Sequence, residues 1–281
     1  MRSLLNPLSK GRGDAAVRKH FDSNTDLYVD KYEESYRAIC RERIDLLKKF
    51  VDVTSRKPLA ILDVGCGAGV FVDMLLQEYP QAQAFGVDSS LGMLRRNRFA
   101  SRKVLVLGDA RELPFRPQSF DLINVDTVMH HLVDFRGYQN TIRAIQRFLI
   151  SLQELLKPGG LLIVHEIYHE SLFRDNLGAR VVYKLSTLQL PNLVANLLKR
   201  VGLNTANAGV CFLTRRQWDE MFQRACFRAQ STTDKPWIDH RLESMGFPRN
   251  GDLYYMLFSQ FGGIGRNPAR SRSCTPGVKS T

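Results

Sequence analysis

The chain of 281 residues has no apolar run approaching the length that spans a bilayer. That argues against a membrane-spanning helix. Its first residues, Met1 to Pro7, hold no apolar segment long enough for a secretory signal. Cysteine is scarce: five residues, an odd number without regular spacing. This composition excludes a disulfide scaffold and predicts reduced thiols in a cytoplasm-like compartment. Gly (20) and Pro (11) are too few for a collagen-like or low-complexity chain. What remains is ordinary globular material, 44% hydrophobic and 24% charged.

Acidic residues are also short, 28 against 40 Lys and Arg, for a net charge of +12. Up to Lys57 there are 13 basic and 9 acidic residues; from Pro58 to Glu170, 11 and 12; from Ser171 to Thr281, 16 and 7. The excess therefore lies outside the middle of the chain. Such a surface favours anionic substrates, nucleic acid or acidic membranes, or serves only solubility.

The middle carries the fold signal. Five short apolar runs each end in a polar residue: Leu59–Leu62 before Asp63, Ala84–Val87 before Asp88, Val104–Leu107 before Gly108-Asp109, Leu122–Val125 before Asp126, and Leu161–Val164 before His165-Glu166. Between them lie helical stretches around Val70–Glu78, Gly92–Ala100 and Gly137–Leu156. Buried strands alternating with helices predict right-handed crossovers, a parallel sheet, and a ligand site beyond the carboxyl ends of the strands. Upstream, Asp14 to about Val53 reads as helical. Downstream, Ser171 to about Asn207 reads as helical, Thr214–Ala225 as a further helix, and Phe227–Thr233 and Leu253–Ser259 as two strands. The expected divisions are a helical cap (residues 1–57), a core (58–170), a helical lid insertion (171–213), the end of the core (214–261) and a disordered basic tail (262–281).

The first turn reads Asp63-Val64-Gly65-Cys66-Gly67-Ala68-Gly69. Glycines permit a tight turn and a close approach to a ligand. The turn lacks the Gly-Lys-Ser/Thr ending of a triphosphate loop. Asp63 would repel a pyrophosphate, which favours a ligand bringing a positive group. Asp88 is placed to accept from ribose hydroxyls, and Asp109 from an exocyclic amine. Each alone fits an ordinary helix cap or turn. Three on consecutive strand ends favour a site.

Taken in order, Ile61–Gly69, Gly86-Val87-Asp88-Ser89-Ser90, Gly108-Asp109-Ala110 with Leu113-Pro114-Phe115, Ser119–Ile123 and Leu155–Gly160 resemble the class I S-adenosylmethionine-dependent methyltransferases. The likeness covers roughly Pro58 to Glu170. Val17–Asp22 with Tyr28 and Tyr32 resembles the lead-in of the small-molecule branch that includes the ubiquinone and menaquinone methylases. The resemblance implies a doubly wound, Rossmann-like α/β fold with a seven-stranded sheet in the order 3-2-1-4-5-7-6, its last inserted strand antiparallel. The implied cofactor is S-adenosyl-L-methionine and the implied acceptor a small or lipid-like molecule. Gly65 and Gly67 would flank the methionine part, with Asp63 toward its ammonium and Cys66, Ala68 and Gly69 completing the loop. Asp88 would hold the ribose; Asp109 and Ala110 the adenine; Ser89 and Met93 would pack near sugar and adenine. Asp126 and Thr127 would line the methionine side. In Thr127-Val128-Met129-His130-His131, His130 matches the general base of related oxygen methyltransferases.

His165-Glu166-Ile167-Tyr168-His169 matches the zinc-protease pattern HExxH. It continues a strand-like run, and four residues of extended chain span about 13 Å, too far for one zinc. No metal is expected, and Glu166 and Tyr168 are expected to face the acceptor. Other readings are RNA methylation, served by the basic last third and the Arg266, Arg270, Arg272 and Lys279 tail, a binding protein without turnover, and, less suited to Asp63 and Asp109, a nicotinamide dehydrogenase. Peripheral membrane contact through Leu190–Arg200, apolar with a basic end, is a further expectation.

Overall fold

The computed structural model describes residues 12–26, 29–30, 33–52, 58–98, 100–170, 176–188, 190, 194, 209–237 and 249–259. The expected basic tail, the first eleven residues and most of 189–208 lie outside these.

Seven strands form one sheet: β1 (Leu59–Val64), β2 (Ala82–Asp88), β3 (Lys103–Leu107), β4 (Phe120–Asp126), β5 (Leu156–Glu170), β6 (Phe227–Trp237) and β7 (Arg249–Ser259). Their spatial order is 3-2-1-4-5-7-6. Strands β1 to β5 pair in parallel, and β7 runs antiparallel to both β5 and β6.

Alternation along the strands splits the core into two layers. Ile61, Ala84, Leu122 and Ile163 face α2 (Glu33–Leu47) and α3 (Val70–Glu78), meeting Cys40, Ile44, Leu47, Phe71 and Leu75. Leu62, Val64, Ile123, Val125 and Leu162 face the other way. They pack with Ile145, Phe148, Leu149 and Leu152 of α5 (Tyr138–Leu155). Trp218 and Phe222 of the helix after the lid region, Arg215–Arg224, join this layer. Each such side chain taken from water contributes about 1.5–3 kcal/mol. Because both faces are covered, the parallel strands read as unbroken apolar runs.

Two helices differ from the reading by period. The upstream helical stretch divides into α1 (Arg12–Ser23) and α2. The helix α4 (Leu91–Arg96) stops short of Ala100. Ser90 caps α4, its hydroxyl accepting from the Met93 amide at 3.1 Å. That hydroxyl in turn donates to Asp22 of α1 at 2.6 Å, and the Gly92 amide donates to the same carboxylate at 3.0 Å. Arg96 adds ion pairs to Asp26 and Asp30, in the chain just after α1. These contacts clasp α1 onto α4.

Strand β5 is longer than its apolar run. The register Leu161↔Phe258 to Glu170↔Arg249 carries it six residues past Val164, because β7 supplies hydrogen-bond partners that far. In the lid region the described helix is α6 (Leu177–Thr187). The last helix, α7 (Arg215–Arg224), begins with a capping box: Thr214 accepts from the Gln217 amide at 3.1 Å, and Gln217 accepts from the Thr214 amide at 2.9 Å.

Candidate active site

A cavity of about 370 Å³ opens beyond the carboxyl ends of β1, β2, β3 and β4, roofed by α1. Gly65, Cys66, Gly67, Ala68, Gly69, Asp88, Ser89, Met93, Asp109, Ala110, Asp126 and Thr127 all line it. Val17, Arg18 and Phe21 of α1 form the roof, and Val128, His131 and Leu132 a further wall. Its size is that of a small-molecule site.

The loop after β1 is set by backbone conformation. Gly65 has φ 74° and Gly67 φ 51°, both left-handed. A Cβ on Gly65 would lie 2.3 Å from Val128 Cγ2, so the cavity wall closes directly onto bare backbone. The Gly65 amide donates to the Val87 carbonyl at 2.7 Å, which ties the loop to β2. Asp88 then fastens it from the other side, accepting from the Gly67 amide at 2.9 Å and the Ser90 amide at 2.8 Å. Burial raises its carboxyl above the usual range, opposed by those amides. Each oxygen keeps a lone pair for a hydroxyl. Asp109 accepts from the Arg111 amide at 2.9 Å and from its guanidinium at 3.1 and 3.2 Å. Thr127, at the end of β4, holds φ 51°, a costly conformation for a β-branched residue. Its amide donates to the His165 carbonyl at 2.8 Å.

Two expected residues lie elsewhere. Asp63 is 2% exposed and sits behind the wall. It faces Asn124 across the β1–β4 register and accepts from its amide at 2.6 Å, so it does not extend toward the cavity. Burial, opposed by that hydrogen bond, pushes its carboxyl up to about 7. His130, 5% exposed, turns away onto Glu166, and its neighbour His131 takes the wall. The cause is a 3-10 turn at Met129–His131 anchored on the fully buried Glu166. That carboxylate accepts from the Met129 amide (2.8 Å), the His130 amide (3.3 Å), the Ile167 amide (3.0 Å) and His130 Nδ1 (2.5 Å). Glu166 thus faces His130 and not an acceptor cavity. Tyr168 packs in the core and donates to Asp234 at 2.9 Å.

The HExxH stretch lies on β5. His165 donates through Nδ1 to Asp126 at 2.8 Å and through Nε2 to Asp252 at 3.1 Å, while the His169 ring meets the Phe212 ring at a tilt of 44°, centre to centre 4.2 Å. Among the described residues no cluster of His, Cys, Asp and Glu has metal-site geometry. Cys40, Cys66 and Cys211 are free and buried.

Sequence reading missed a buried charge network behind Asp126. Arg43 of α2, 3% exposed, bonds both Asp126 and the Asn124 side-chain oxygen, with its guanidinium 4.4 Å from the Phe71 ring centre. Tyr36 donates to Asp126 at 2.6 Å. Burial opposes the Asp126 charge, but Arg43 and His165 outweigh it and hold the carboxyl far below the usual range. Burial likewise opposes protonation of His165, yet Asp126 and Asp252 push it up to about 9. Asp126 therefore lines the cavity as a carboxylate already neutralised from behind.

These shifts carry a sign. Asp63 is raised from 3.8, so its contribution to stability is complete below that value and is lost as pH rises through about 7. His165 is raised from 6.5, so its contribution is complete below 6.5 and is lost as pH rises through about 9. Melting temperatures of the parent and Asp63→Asn, taken from pH 4 to 9, test the first term. The parent should lose stability relative to the variant between about pH 4 and 7, and a pH-independent difference would refute it.

Residues 62–164 match the family described as a methyltransferase domain. The chain is 31% identical over 152 residues to demethylmenaquinone methyltransferase of Staphylococcus aureus, covering 50% of this chain and 58% of that protein. It is 33% identical over 120 residues to malonyl-acyl-carrier-protein O-methyltransferase of Legionella pneumophila, covering 41% and 40%. The chain thus spans about half the length of these relatives. Among solved structures, magnesium protoporphyrin IX methyltransferase of Synechocystis, with bound S-adenosylhomocysteine, aligns with a TM-score of 0.55 at 14% identity, over 87% of this chain and 99% of that one. A 4+2 cyclase aligns with a TM-score of 0.60, also at 14% identity, over 93% and 100%. Both share the fold.

Proposed function

We propose, on the premise that residues 62–164 are a methyltransferase domain of the S-adenosylmethionine-dependent class, that the chain methylates a small-molecule or lipid-like acceptor. The observation that carries this reading is the cavity itself. Bare backbone at Gly65 and Gly67, carboxylates at Asp88 and Asp109, and apolar surface from Phe21, Met93 and Val128 surround one space. That donor set fits the cofactor. Asp88 would take the ribose hydroxyls, Asp109 the adenine amine, and Ser89, Met93 and Ala110 the faces between. Gly65, Gly67 and Thr127 would flank the methionine end, beside the neutralised Asp126.

The bound cofactor supplies an electrophilic methyl on a sulfonium, open to direct displacement. The chain contributes placement and exclusion of water, which are large terms in such a reaction. For a hydroxyl acceptor it also offers a proton acceptor. Glu166 holds the His130 ring through Nδ1 at 2.5 Å. The His130 ring lies 4.1 Å from that of His131 on the wall. Burial, with His130 and His20 nearby, lowers His131 well below the usual imidazole range, so the wall histidine is neutral at physiological pH. His130 does not line the cavity and would act only as a positioning residue behind His131, so His130→Ala should leave cofactor affinity intact and slow turnover of a hydroxyl acceptor by less than the roughly 10²–10⁴-fold typical of a base touching its substrate. Unimpaired turnover would reduce His130 to packing.

The reading is tested by incubating the protein with methyl-labelled cofactor and either an organic extract of cells or total RNA. Label entering the organic fraction supports it. Label in RNA would favour the rival that the basic last third suggests, and none in either would favour a binding protein. In calorimetry, Asp88→Ala should weaken S-adenosylhomocysteine binding by about 1–3 kcal/mol, and unchanged affinity would remove Asp88 from the site.

A further inference from the structure

We propose that α6 is a docking element for an anionic lipid surface. The helix is turned inside out relative to its neighbours. Its inward side is Ala179, Tyr183 and Ser186, all buried. Its outward side carries Leu177, Val181, Leu185 and, at the C-cap, Leu188, which are 49, 48, 42 and 42% exposed. Spacings of four, four and three residues put these side chains on one stripe.

The orientation is fixed by polar contacts on the buried side. Tyr183 donates to the Asp134 carbonyl at 2.6 Å, and Ser186 accepts from the Val210 amide at 3.0 Å. Rolling the helix to hide its apolar stripe would break both. The outward stripe is therefore a stable feature of the fold.

Charge selects the occupant. Arg180 and Lys184 lie one turn apart along one edge of the stripe and are exposed. Neither is paired with a carboxylate among the described residues. Arg180 instead lies over the Tyr138 ring at 5.4 Å. The surrounding sequence, Ser171 to Thr281, has 16 basic and 7 acidic residues. A lipid leaflet with anionic headgroups offers apolar depth and negative charge side by side, which is what an apolar stripe edged by cations takes. A second copy docked across a two-fold axis would bring these same cations together. The site lies near the methyl-acceptor machinery, because the Gly209 amide donates to the Ser186 carbonyl and the Cys211 amide to the His130 carbonyl.

The test is co-sedimentation of the full chain with vesicles of phosphatidylcholine alone or containing phosphatidylglycerol. The parent should partition onto the anionic vesicles and far less onto the neutral ones, with binding that weakens as salt rises. Val181→Ser/Leu185→Ser should lower the partition coefficient by at least about tenfold and Lys184→Glu by several-fold. S-adenosylhomocysteine binding unchanged in both variants would show that the fold survives. Equal partitioning of parent and double variant would overturn the proposal, as would a parent that ignores anionic vesicles. A parent dimer that the double variant dissociates would reassign the stripe to a second copy. The readout contains no methyl transfer, so this proposal and the proposed activity can fail separately.

Discussion

Replacing Gly65 by Val should reduce affinity for S-adenosylhomocysteine at least about 100-fold, roughly 2.7 kcal/mol. Two separate penalties meet at this residue. The backbone sits at φ 74°, where a β-branched side chain costs roughly 1–3 kcal/mol of strain. The new Cβ would also lie 2.3 Å from Val128 Cγ2, a stiff side chain that cannot swing aside. The loop must move, and the Gly65 and Cys66 amides that hold it to the Val87 carbonyl move with it. Gly65→Ala separates the two terms. Alone it should lose most of the affinity; with Val128→Ala it should regain the steric part and keep the conformational part. Calorimetry on all three variants decides the matter, and a Gly65→Val affinity within threefold of the parent would show that the loop is not the cofactor cradle.

The largest loss of stability is expected at Arg43. Arg43→Met should destabilise the fold by about 3–5 kcal/mol, the usual cost of stripping one partner from a buried ion pair. Asp126 would keep Tyr36 and His165, but Asn124 would lose the donor to its side-chain oxygen. The Phe71 face would also lose the guanidinium that covers it. Arg43→Met/Asp126→Asn should recover part of the loss, because the uncompensated charge is then gone. Urea unfolding followed by tryptophan fluorescence measures the difference, and a loss under 1 kcal/mol for Arg43→Met would mean that the network contributes little.

Strand ends were the most legible part of the sequence. Apolar runs closing on Asp88, Gly108-Asp109 and Asp126 located the sheet, and the carboxylates at those ends do line the cavity. Contacts distant in sequence were the illegible part. Arg43 meets Asp126 across 83 residues, and nothing around Ile44 distinguishes it from a solvated helix charge. Asp63 reads locally like its counterparts on β2 and β4, yet Asn124 opposite it in the sheet takes its carboxylate. Within His130-His131 the two rings are equivalent by spacing. Glu166, 36 residues on, decides which turns inward. The length of β5 likewise depended on a distant strand, with Glu170 paired to Arg249.

The stretch that matches a family is not the stretch that stands alone. Asp126 lies inside residues 62–164, but its counter-charges come from Arg43 before that stretch and His165 just after it, and His165 leans on Asp252 far beyond. The matched stretch is tied to its flanks at a carboxylate in the floor of the cavity. Transplanted by itself, the module would carry a bare buried acid. Arg43 and His165 therefore belong to the support of the cavity floor and not to a detachable appendage.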